Sequence, residues 1–68
     1  MNNHVRHYRI ALQWSQQHLA DQVGVSRQTI LSIEKGKYDP SLPLAFQLAS
    51  VFDCTIEDLF VPDPEDLP

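Results

Sequence analysis

The chain has 68 residues, a net charge of −4, 43% apolar and 21% charged side chains, which fits one small globular domain. No apolar run approaches the ~18 residues that a membrane span needs, and the start, Met1-Asn2-Asn3-His4, lacks the apolar core of a secretion signal. The single Cys54 excludes an internal disulfide or a cysteine-rich zinc site, so a cytoplasmic chain held by packing, within itself or with a partner subunit, is expected.

Pro40 is the first proline, so residues 1–39 can be helical without interruption. Val5, Tyr8, Arg9 and Leu12 repeat at helical spacing and predict a first helix over about residues 3–12. Ser15 is placed to cap a second helix with Leu19, Ala20 and Val23 on its inner face, and Gly24 suits its end. Ser26 then caps a third helix with Ile30 and Ile33 inward, which Gly36 ends. After the Asp39-Pro40 turn, Ser41 caps a fourth helix whose inner face reads Leu42, Ala45, Leu48, Ala49 and Phe52. Thr55 and Asp58 have the spacing of a capping box for a short fifth helix, Ile56 to Phe60. Val, Ile and Thr never alternate over a strand length, so the fold class is all-α, a five-helix bundle.

Charge is unevenly spread. Residues 1–37 hold all five basic side chains against two acids, a net of +3, whereas residues 38–68 hold seven acids and no Lys or Arg, a net of −7. The first half therefore offers a surface suited to phosphate, although an acidic half also serves solubility.

The informative stretch is Gln16 to Glu34. Two short helices are separated by about three residues, with Gly24 in the break and the small Ala20 allowing a close, steep crossing. Such a pair is a helix-turn-helix unit, whose second helix fits the ~12 Å major groove of DNA. Its outward face needs donors and acceptors for base edges, and Ser26, Arg27, Gln28 and Ser32 supply them. Arginine suits guanine O6 and N7; glutamine suits adenine N6 and N7.

With Arg9-Ile10-Ala11, Ser15-Gln16, Leu19-Ala20, Val23 through Ile30, Ile33-Glu34, Gly36-Lys37, Pro40-Ser41 and Ile56 through Phe60, the chain resembles the Cro/phage-repressor (XRE-type) helix-turn-helix family. The resemblance spans residues 3 to 61. It implies a lambda repressor-like DNA-binding domain over residues 1–61, followed by an acidic, proline-containing tail over 62–68 that is expected to be mobile. It further implies a transcriptional regulator, a repressor, that binds an inverted-repeat operator on double-stranded DNA as a homodimer. Four positions depart from the family pattern: His18 stands where an acid often reciprocates the Ser15 cap, Gln13 replaces a frequent Gly, Trp14 a smaller aliphatic residue and Lys35 a common Asn.

Each candidate has a plainer reading beside the functional one. Arg27 and Gln28 could be solvated helix residues, Ser26 only a cap, and Leu31 either a thymine-methyl contact or more core. Ser15, Gln16 and the N–H groups opening the second helix are candidate phosphate anchors. Lys35 and Lys37 would flank the DNA backbone or simply solubilise. Arg9 and Glu34 match family positions that form an interior ion pair. Phe60 and Val61 are expected at a dimer contact, because so small a bundle has difficulty covering both. His4 and His7 lack a third metal ligand, Cys54 lacks an adjacent base, and no glycine-rich phosphate loop or catalytic carboxylate pair appears. Neither an enzyme nor a cofactor is expected. An antitoxin-type module, docking a toxin partner through the acidic tail, is the alternative.

Overall fold

Four helices begin on a side-chain hydroxyl that accepts the backbone N–H three residues on: Ser15 from His18, Ser26 from Thr29, Ser41 from Leu44 and Thr55 from Asp58. These caps satisfy donors that a helix start otherwise leaves unpaired. Asp58 returns the bond to the Thr55 N–H, completing the expected capping box. A computed structural model describes residues 1–67; Pro68, the end of the expected tail, lies outside the described residues.

The element order is β1 (Asn2–Asn3), α1 (Val5–Ala11), α2 (Gln16–Val23), α3 (Arg27–Glu34), α4 (Leu42–Val51), α5 (Ile56–Leu59) and β2 (Phe60–Val61), followed by one 3-10 turn (Pro64–Asp66) in the segment expected to be a mobile tail. All five predicted helices are present, two of them with shorter bounds. Val5, Leu19, Ile30, Ile33, Leu48 and Leu59 are completely buried, so every helix contributes to one core. Tyr8, Trp14 and Phe52 form an aromatic group on its flank, with ring centroids 5.6 and 6.2 Å from Phe52.

Helices α1 to α4 all end in the same way. An N–H two or three residues past the end of each helix reaches back five residues, Trp14 to Arg9, Val25 to Ala20, Lys37 to Ser32 and Cys54 to Ala49, at 2.9–3.1 Å. Such a reversal needs a residue of positive φ, and these are Gln13 (60°), Gly24 (71°), Gly36 (73°) and Asp53 (54°). Gln13 thus adopts the conformation of the glycine whose place it takes.

Three expectations are corrected. A short antiparallel pair joins β1 to β2, Asn2 opposite Val61 and Asn3 opposite Phe60, so α1 begins at Val5 and α5 ends at Leu59. Asn3 secures this junction: its side chain accepts the Val5 N–H and donates to the Ile33 carbonyl at 2.8 Å. Leu12 falls beyond the end of α1 and turns outward, because the Gln13 reversal has already redirected the chain. On α4 the buried positions are Leu44, Ala45, Leu48 and Ala49, continued by Phe52; Leu42, at the border of that face, is 64% exposed.

Candidate nucleic-acid interface

Burial of Ile30 and Ile33 fixes which side of α3 meets the core; the helical period sets Gln28 opposite that side and Arg27 on its flank, and both are exposed. Ser32, one turn after Gln28, is half-buried. The Ser26 hydroxyl takes the Thr29 N–H and also pairs with the Thr29 hydroxyl at 2.9 Å, so its capping role is filled. Leu31 is half-buried beside this face. Lys35 closes α3 and Lys37 follows the Gly36 reversal, both exposed.

Helix α2 presents its N-terminus next to the same unit. Its Ser15 cap stands alone, as His18 cannot complete a capping box; instead the His18 ring meets Trp14 edge-on with centroids 4.7 Å apart. The two departures from the family pattern therefore pack against each other. Gln16, first residue of α2, donates its amide to Glu34 Oε1 at 3.3 Å.

That carboxylate belongs to a buried ion pair. Arg9 Nε donates to Glu34 Oε2 at 2.7 Å and Nη2 to Oε1 at 3.1 Å, while Nη1 donates to the Trp14 carbonyl at 2.7 Å. The Glu34 side chain is only 4% exposed and that of Arg9 only 11%. The forked geometry satisfies both charges and ties α1, the start of α2 and the end of α3 together. Asp21, the other acid before residue 38, accepts from Gln17 at 2.9 Å. Arg27, Lys35 and Lys37 face solvent, and none forms an ion pair among the described residues.

Sequence reasoning missed Tyr38. It stands over a shallow crease of about 190 Å³ that it shares with Gln28, Thr29 and Ser32. The available signal was the Gly36 reversal, which turns the following residues back along α3.

The expected dimer residues separate. Val61 is 41% exposed, but Phe60 is 6% exposed and packs into the core, so the bundle does cover it. Another apolar surface is open instead: Leu42 (64%) and Phe46 (58%), one turn apart on α4, flank Ile56 of α5. Cys54 packs against the core beside Tyr8; burial pushes its thiol pKa up and the Asp58 charge adds to this, against a hydrogen bond from Tyr8. Among the described residues no group of three His, Cys, Asp or Glu side chains could hold a metal ion, and no helix is long and apolar enough to cross a membrane.

A helix-turn-helix family model matches residues 5–59. An HTH-type transcriptional regulator of Methanocaldococcus jannaschii is 54% identical over 61 residues, covering 90% of this chain and 92% of that protein. Another, from Bacillus subtilis, is 45% identical over 60 residues, covering 88% and 91%. Among solved structures, the restriction-modification controller protein C.AhdI of Aeromonas hydrophila superposes with a TM-score of 0.75 at 32% identity, covering 82% of this chain and 85% of that one.

Proposed function

The chain belongs to the XRE-type helix-turn-helix family of DNA-binding transcriptional regulators, and from that premise we propose that it is a sequence-specific repressor. It acts in the cytoplasm as a homodimer on an inverted-repeat operator, with α3 in the major groove. The carrying observation is the two-sidedness of α3: Ile30 and Ile33 wholly buried, Gln28 exposed behind them and Arg27 exposed on the flank. Occupying the operator is sufficient for repression, and this unit supplies the means.

In this reading Arg27 and Gln28, with Ser26 and Ser32, read base edges, while Ser15, Gln16, Lys35 and Lys37 hold the backbone. Gln16 keeps one amide hydrogen for phosphate after donating the other to Glu34. The homodimer is supported by exposed apolar side chains, Leu42, Phe46 and Val61, since patches of this kind mark contacts between proteins. A two-fold pairing would set the recognition helices ~34–36 Å apart, one turn of DNA.

Selection of bound sequences from random duplex DNA tests the proposal. The expected result is an enriched inverted repeat with half-sites one helical turn apart. Recovery of no preferred sequence would overturn it.

A further inference from the structure

The residue that stands beside Gln28 and Ser32 without a role is Tyr38. We infer that Tyr38 belongs to the base-reading surface, its ring walling one side of the Gln28–Ser32 ridge and its hydroxyl donating to a backbone phosphate. This rests on the functional reading above.

Four observations support it. Tyr38 is 47% exposed, a large aromatic surface left to solvent. Its position is set by the α3 reversal, in which Gly36 takes φ 73° and the Lys37 N–H reaches the Ser32 carbonyl at 3.0 Å. Pro40 lies two residues on and holds Asp39 away from helical angles, which stiffens the segment. Finally, the crease beneath the ring is lined by Gln28, Thr29 and Ser32, the ridge that presents Gln28 to a base.

A glutamine side chain has three free torsions, and it discriminates between bases only if its amide is held in one orientation. A ring alongside removes the rotamers that swing toward it. The phenol hydroxyl of this exposed side chain serves as a neutral donor to a phosphate. Tyr38 is thus a positioning residue for Gln28 and a backbone contact in its own right.

The test compares Tyr38→Ala, Tyr38→Phe, Gln28→Ala and the Tyr38→Ala/Gln28→Ala double variant of the full chain, on the selected operator and on duplexes with each base changed. Tyr38→Ala is expected to weaken operator binding roughly tenfold and to flatten preference at the same base pair as Gln28→Ala. The double variant should lose no more preference than Gln28→Ala alone. Tyr38→Phe should keep the preference and weaken all duplexes about threefold, with the salt slope unchanged because no charge is lost. Tyr38→Ala binding like the unsubstituted protein, or weakening every duplex alike, overturns the inference while the functional reading stands. If the unsubstituted protein selects no sequence at all, the functional reading falls and takes this inference with it. Thermal melting confirms that each variant is folded.

Discussion

Arg9 uses Nε and both terminal nitrogens, two directions on Glu34 and one on the Trp14 carbonyl. A buried pair of this kind adds little net stability over an apolar pair, yet losing one partner strands the other charge. Arg9→Ala should therefore cost about 3 kcal/mol in chemical denaturation, and Arg9→Met with Glu34→Leu should cost less than Arg9→Ala alone. A single variant that melts like the unsubstituted protein would show the pair to be dispensable. The same scale holds a pH dependence. Burial raises the Cys54 and Tyr8 pKa values, so folding favours their neutral forms. Stability from this source is complete below the ordinary thiol and phenol ranges and is lost as pH rises through the raised values. Melting temperature should fall on the alkaline side, and Cys54→Ala should flatten that fall.

The helix starts were readable residue by residue, because a serine or threonine hydroxyl at the right spacing has few other uses there. The ends were readable only by half. Gly24 and Gly36 advertise positive φ, whereas Asp53 signals it weakly and Gln13 only through the glycine that the family pattern has there. A left-handed residue other than glycine carries strain of ~1–2 kcal/mol, less for Asp, whose short side chain tolerates the conformation. Gln13→Gly is thus expected to stabilise the chain by about 1 kcal/mol, and Asp53→Gly by less; a loss of stability in Gln13→Gly would mean its side chain packs usefully. The β1–β2 pair was illegible for another reason, since two residues per strand cannot show an alternation. Leu12 and Leu42 were assigned inward because apolar spacing locates a helix face but not where the helix stops or which border residue the core covers. Of the proposed reading surface, Gln28 followed from the α3 period and Arg27 from its polar place at the helix start. Tyr38 did not, because its place depends on the reversal at Gly36.

At the scale of the molecule, the basic half carries the helix-turn-helix and the acidic half carries α4, α5 and the segment after them. The exposed Leu42–Phe46 stripe lies in that second half, so dimerisation there leaves α3 free for DNA. Phe46→Asp should give a monomer in analytical ultracentrifugation at micromolar concentration without loss of helix; an unchanged assembly state would move the contact elsewhere. The overall charge of −4 also predicts weak non-specific binding that salt abolishes quickly.

The most direct test of the account separates reading from anchoring by competition binding of three variants against operator and scrambled duplexes at several salt concentrations. Arg27→Ala and Gln28→Ala should each lose about 1–3 kcal/mol on the operator and relax one base position per half-site. Lys37→Ala should weaken all duplexes alike and lower the salt slope by roughly one per protomer. Should Lys37→Ala change base preference while Arg27→Ala and Gln28→Ala leave it intact, α3 does not present this face to the groove.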